Sequence, residues 1–277
     1  MSLSIQTSFA SLVTQNSLSD ANDKLTTAMT RLSTGYQVNS SADDAAGLSI
    51  ATRLQSTSDG IDVANDNIED ASSMLSTADS SLDTMNDIVS RMKDLATQAN
   101  NGTYSDDDVA AMQTEFSSLQ SELTDIVANT EFGGQNLLDS SSGALNDVTF
   151  QVGASSSETL NVNLTSELSD IGSSLTAASS ISLSTGASSA IDSMESFISN
   201  ISDARSSLGA NINRLDYTAE NITSIQENTD AAVGNIMDAD YASETAEMSK
   251  QELLEQAGIS VLGTVSSMQS MVANLLG

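Results

Sequence analysis

The chain has 277 residues, a formal net charge of −30, and no Cys, His, Pro or Trp. Without Cys there is no disulfide or thiolate chemistry. Without His the usual general base and the commonest metal ligand are absent. A surface this acidic repels phosphate backbones and anionic leaflets, so the sequence predicts no nucleic-acid partner and no membrane partner.

The acidity suits a salty medium, where self-repulsion is screened, and equally an acidic secreted surface without special adaptation. Aromatics are few, with four Tyr and five Phe. The chain must therefore pack on Leu, Ile, Val, Ala and Met. Proline costs about 3 kcal/mol inside a helix, and its absence suits long uninterrupted helices. The opening residues Met1 to Gln6 show neither a basic n-region nor an apolar h-region. A cleaved secretory signal is not expected there. No apolar run reaches the ~18 residues that a membrane span needs.

In chain order, the first signal is a weak seam, Leu18, Ala21, Leu25, Ala28 and Leu32. A strict three–four alternation follows: Gly47, Ile50, Leu54, Thr57, Ile61, Ala64, Ile68, Ala71, Leu75, Ala78, Leu82, Met85, Val89, Met92, Ala96 and Ala99. This is a heptad seam, and a helix over it is roughly 80 Å long. Asp43 and Asp44 supply its N-cap. Asn100, Asn101 and Gly102 are expected to end it in left-handed torsions. Val109, Met112, Phe116, Leu119, Leu123 and Ile126 form a shorter antiparallel neighbour after a short link. Val148–Val152 and Leu160–Leu164 alternate as strands around a turn, which predicts a β-hairpin. Residues 165–190 are Ser-rich and read as irregular. A third long seam runs Ile191, Met194, Ile198, Ile201, Arg205, Leu208, Ile212, Leu215, Ala219, Ile222, Gln226, Thr229, Val233 and Ile236. Arg205 on that seam reads as a snorkelling or rim-paired side chain rather than a buried register pair. The last seam is Leu254, Ala257, Val261, Val265, Met268, Val272 and Leu275.

Chemistry has little to stand on. Asp106–Asp108 is contiguous, unlike the alternating ligands of a calcium loop, and reads as charge at a helix start. A Ser nucleophile would need a Lys base, and no Ser-x-x-Lys motif is present. Neither catalytic residue nor cofactor is predicted. The terminal seams are amphipathic but unpartnered in sequence, and such helices are marginal alone. They call for each other or for neighbouring subunits.

Several blocks resemble one family, the bacterial flagellins. They are Thr14–Leu18, Arg31–Gly47 (RLSTGYQVNSSADDAAG), Glu131–Leu138 (EFGGQNLL), Gln151–Ala154, Ala239–Glu244 and Gln256–Leu262. The resemblance spans roughly residues 1–165 and 190–277. It implies a mainly α fold, a long antiparallel coiled-coil bundle with a small β-hairpin, whose N- and C-terminal helices pair as an inner coiled coil. It implies domains of 1–42 plus 237–277 and of 43–236, with the hairpin at about 145–165 and a short Ser-rich segment at 165–190. The large variable outer domain of many members is missing, so a thin, smooth filament is expected. Gly263 to Met271 departs from the usual Ala-Gln-Ala-Asn-Gln stretch of the family.

The implied function is a filament subunit for motility, exported unfolded through the flagellar type III channel. Its partners would be further copies of itself and the export chaperone, cap and junction proteins. Subunit assembly is expected to use Leu18, Leu25, Leu32, Leu254, Val261, Val265 and Leu275. Arg91, Leu95 and Gln98 resemble a patch read by a Toll-like receptor in some members, and they equally suit subunit contacts. A hook–filament junction protein and a generic coiled-coil scaffold are the alternatives. Deleting residues 1–40 should abolish polymerisation while circular dichroism still reports a folded helical bundle. Normal filaments from that truncation would contradict the role given to the chain ends.

Overall fold

The computed structural model describes residues 9–276, and within them every side chain except those of Gln269 and residues 272–276. The helices are α1 (Phe9–Thr34), α2 (Ala45–Ala99), α3 (Asp106–Asn129), α4 (Thr165–Ser179), α5 (Leu183–Met237) and α6 (Tyr241–Leu276). Two antiparallel pairs of strands interrupt them, β1 (Glu131–Phe132) with β2 (Gln135–Asn136), and β3 (Val148–Gln151) with β4 (Thr159–Val162). The chain gathers into two compact units. One is Ser58–Gln226, and the other combines the chain up to Thr57 with the chain from Glu227 onward.

The Ser58–Gln226 unit holds the main core. From Ile61 to Ala96 every predicted seam position of α2 is buried. α5 runs antiparallel to it. Gln226 donates to Asp62 at 2.5 Å, Arg205 to Asp79 at 2.9 Å, and Lys93 meets Glu195 at 3.8 Å. Partners climb α2 as they descend α5, so the two helices keep one register. Arg205 also reaches Asp83 at 2.5 Å and is about a third exposed, which makes it a rim pair. The hydrogen bond it donates to Asp79 chiefly raises its proton affinity, and the Asp79 and Asp83 charges add to this against a desolvation penalty. Phe197 and Ala204 are buried on α5 although neither lies on the predicted seam. A two-per-heptad seam describes contact with one helix, and α5 also carries α4. Asn200 donates to Ser174 Oγ at 2.9 Å and Ser207 to Glu167 at 3.1 Å.

Local chemistry starts and stops these helices. Ser105 caps α3 in a reciprocal box with Asp108, whose pKa is lowered first by the Ser105 hydroxyl and then by the Ser105 backbone. Asp44 caps α2 by accepting from the Ala46 and Gly47 amides at 3.0 and 2.9 Å. Asp43 instead folds back on Ser40, whose hydroxyl and amide it accepts at 2.9 Å. Gly133 and Gly134 both adopt positive φ, 59° and 79°, which a two-residue hairpin of the twisted type requires. The turn returns Asn136 to α3, where its amide donates to the terminal carbonyls of Val127 and Ala128 at 2.8 Å.

Three expectations are corrected. The predicted seam at the start of α2 slips. Ala51 and Ser58 are buried, whereas Ile50 and Thr57 are exposed. Thr57 spends its hydroxyl on the Arg53 carbonyl of its own helix at 3.0 Å. Small residues therefore take the packed positions. Asn100, Asn101 and Gly102 do not enter left-handed torsions. Instead Asn100 and Asn101 donate to Ala96 and Gln98 carbonyls at 3.0 and 3.1 Å, which tightens the last turn. Residues 165–190 are largely helical rather than irregular. Leu164, Leu168, Ile171 and Ala178 are buried and Leu175 is half-buried, a four–three spacing, and their burial outweighs the weak helix propensity of the Ser and Thr between them.

The core and the rim should respond differently to truncation. Leu123→Ala removes a fully buried side chain and should cost about 2–5 kcal/mol. Arg205→Ala removes a solvent-screened pair and should cost about 1 kcal/mol or less. Urea midpoints at constant slope measure both.

Candidate subunit-assembly surface

The unit made from the chain ends is built on α1 against α6. Arg31 Nη1 meets Glu244 Oε1 at 3.0 Å, and Tyr241 Oη donates to the Leu32 carbonyl at 3.0 Å. Farther along, a Cβ placed on Gly258 would lie 3.3 Å from Leu18 Cδ1. The partner number rises on α6 as it falls on α1, so the pair is antiparallel. On α1, Ala21 and Ala28 are buried and Leu18, Leu25 and Leu32 are half-buried, as one seam.

The facing positions on α6 are Glu244, Met248, Gln251, Glu255, Gly258, Leu262 and Val265. They too step by four and three. This seam shares only Val265 with the apolar series read from sequence. Leu254 and Val261 are exposed, turned away from α1. Val272 and Leu275 lie outside the described side chains. The geometry has a packing reason. The leucines of α1 fill the seam, so α6 answers with glycine at 258 and with a flexible amide at 251. Gln251 is only 2% exposed, and its amide donates to Glu247 Oε1 at 2.5 Å. That bond, followed by one from Lys250, lowers the Glu247 pKa.

Two widely separated blocks of sequence form a clasp at one end of this pair. Gly35 takes φ 80° and closes α1 with its amide on the Arg31 carbonyl at 2.8 Å. Its own carbonyl accepts from Ala239 at 2.8 Å, and Gln37 donates to Met237 at 2.7 Å. Tyr36 and Asp238 form an antiparallel bridge between them. The Gln37 side chain adds a bond to the Ile236 carbonyl at 2.9 Å. Asp240 Oδ1 then caps α6 through the Ala242 amide at 2.9 Å. Thus Arg31–Gln37 and Ile236–Glu244 are each other's hydrogen-bond partners.

The outward side of both helices carries large apolar side chains among polar ones. Phe9, Leu12, Val13 and Met29 on α1 and Leu253, Leu254, Ile259, Val261, Met268 and Met271 on α6 are exposed. Sequence reading missed a feature that marks this surface. Every charged residue lies between Asp20 and Glu255, so residues 1–19 and 256–277 carry no charge in a chain of net −30. Contiguous exposed apolar surface free of charge marks an interaction site.

The stretch at Arg91 differs. Arg91 Nη2 pairs with Glu115 at 2.7 Å, and Gln98 Nε2 donates to Tyr104 Oη at 2.9 Å. Leu95 is 2% exposed and belongs to the core. A partner approaching this stretch meets Arg91 and Gln98, and Leu95 is withdrawn from the exposed patch.

An antiparallel helical core in one unit, and paired chain-end helices with exposed apolar side chains in the other, define a coiled-coil protein. Residues 5–143 match the bacterial flagellin N-terminal helical region, and residues 191–276 match the bacterial flagellin C-terminal helical region. The flagellin of Listeria monocytogenes is 35% identical over 285 residues, covering 99% of each chain. That of Halalkalibacterium halodurans is 38% identical over 250 residues, covering 90% of each. The crystal structure of Bacillus cereus flagellin superposes with a TM-score of 0.50 at 31% identity, covering 61% of this chain and 94% of that one. The chain belongs to the bacterial flagellin family, as a short form without a large variable domain, and is a structural subunit of the flagellar filament.

Gly258 offers a direct probe of the α1–α6 seam. Gly258→Leu should overpack it against Leu18 at a cost of about 1–3 kcal/mol. Sedimentation should show a critical concentration for polymer raised about tenfold. An unchanged value would contradict the packing described.

Proposed function

We propose that this subunit leaves the cell unfolded through the flagellar type III channel and completes its fold only on joining the filament tip. The α1–α6 pair, residues 1–42 with 237–277, then forms the inner coiled-coil layer, and residues 43–236 form the surrounding helical domain. One observation carries the proposal: the chain ends bury little within the subunit and expose large apolar side chains, and their outermost stretches, residues 1–19 and 256–277, carry no charged side chain. A helix pair with so thin a seam gains its missing burial from a second copy. Leu254 and Val261 supply that outer contact, while Leu18, Leu25, Leu32 and Val265 hold α1 to α6.

An export chaperone covers the same apolar ends in transit, and cap and junction proteins meet them at the tip. The hydrophobic faces would otherwise drive premature association. Arg91 and Gln98 supply the outward part of the patch proposed for a Toll-like receptor. No observation favours the junction-protein reading, and that reading makes a different prediction.

Elongation of purified filament seeds tests the proposal. The wild-type chain should grow long filaments, which a junction protein does not. Leu254→Asp and Val261→Asp should leave the helicity of the monomer unchanged, because both side chains face solvent there. They should stop elongation, because a carboxylate would be buried unpaired between copies. Elongation at the wild-type rate by both variants would overturn the assignment of that face.

A further inference from the structure

The methionines divide by location. Met85, Met92 and Met194 are fully buried in the core of the Ser58–Gln226 unit, and Met74 is nearly so. Met29, Met268 and Met271 are 55%, 59% and 58% exposed, and all three lie on α1 or α6. Met268 and Met271 are three residues apart on α6 and therefore share a face. With no Cys in the chain, thioethers are the side chains that a peroxide oxidises most readily.

We propose that Met29, Met268 and Met271 are the sites at which a peroxide modifies this protein, and that their oxidation prevents a subunit from joining the filament. The proposal rests on the reading of α1 and α6 as the face that meets a second copy. In the reaction the sulfur attacks one peroxide oxygen and the O–O bond breaks. The sulfur keeps that oxygen as a sulfoxide, and the other leaves as water. The thioether loses two electrons and the peroxide gains them.

A flexible apolar side chain becomes polar, and the sulfoxide oxygen needs a donor. Most of the neighbouring hydroxyls are already committed to their own helices, the exposed Ser33 beside Met29 excepted. On α6, Thr264 donates to Val261, Ser267 to Thr264 and Ser270 to Ser267, at 2.8, 2.9 and 2.8 Å. Beside Met29, Thr26 donates to Asn22 and Thr30 to Thr26, both at 2.9 Å. No Lys or Arg lies beyond Lys250 to supply a charged donor. A sulfoxide at Met268 or Met271 in the assembled face would thus be buried with none of these hydroxyls free to donate to it. The free subunit, where water solvates it, tolerates the change. The device blocks addition of oxidised subunits and leaves the fold of each intact.

The test treats purified monomer with hydrogen peroxide, maps oxygen addition by peptide mass spectrometry and adds the protein to filament seeds. Met29, Met268 and Met271 should oxidise first, Met85, Met92 and Met194 last, and elongation should slow at least tenfold with helicity retained. A methionine sulfoxide reductase should restore it. The triple variant M29L/M268L/M271L should elongate equally with and without peroxide. Full-rate elongation by the oxidised wild-type chain would overturn the proposal, as would loss of elongation in the oxidised triple variant. If the triple variant assembles poorly untreated, oxidation of wild-type filaments decides. The three sites should react at least tenfold more slowly there than in monomer, and equal rates would overturn the proposal. Failure of untreated wild-type protein to elongate would instead sink the underlying filament reading.

Discussion

The seam between α1 and α6 is the constraint on which the rest depends. It buries Ala21, Ala28 and Gln251, with half-buried leucines on one side and Gly258 on the other. The Ser58–Gln226 unit, by contrast, buries a continuous run of leucine, isoleucine, methionine and phenylalanine. Stability scales with apolar area removed from water, at roughly 25 cal/mol per Å². The second unit can fold on its own account. The chain ends hold register through a clasp, an ion pair and a size match, and leave most of their apolar surface outside. On the proposed role of the chain ends, folding and assembly are thereby separated along one chain.

Electrostatics sharpen the same division. A net charge of −30 makes copies repel, and eight basic residues cannot neutralise it. Four of the cations serve ties between helices: Arg31, Arg91, Lys93 and Arg205. The acidic region stays solvated, and the charge-free ends are where copies can approach at low electrostatic cost. Three aspartates, the exposed Asp43 and Asp108 and the half-buried Asp139, have pKa values lowered chiefly by neighbouring serine hydroxyls. Their contribution to stability is complete above the ordinary aspartate range and is lost as the pH falls through their lowered values.

Much of the fold was legible because heptad spacing reports burial directly. From Ile61 to Ala96, and at Phe116, Leu123, Leu208 and Leu215, the predicted seam and the core coincide. Legibility failed where packing is small or polar. Ala51, Ser58, Gln251 and Gly258 sit in seams that an apolar pattern skips. On α6 the apolar series ran instead along the outer face, so Leu254 and Val261 were found without knowing which way they pointed. Phe197 was missed because a helix with two neighbours buries more than two positions per heptad. Helix α4 was hidden by serine, although its four–three apolar spacing was present throughout.

The central claim is that the chain ends are marginal in one subunit and secured by others. Amide hydrogen exchange, compared between monomer and filament, tests it most directly. In monomer, α1 and α6 should exchange far faster than α2 and α5 between Ser58 and Gln226. In filament, their exchange should slow to the level of that core. Equal protection of α1 and α6 in monomer and filament would contradict the account.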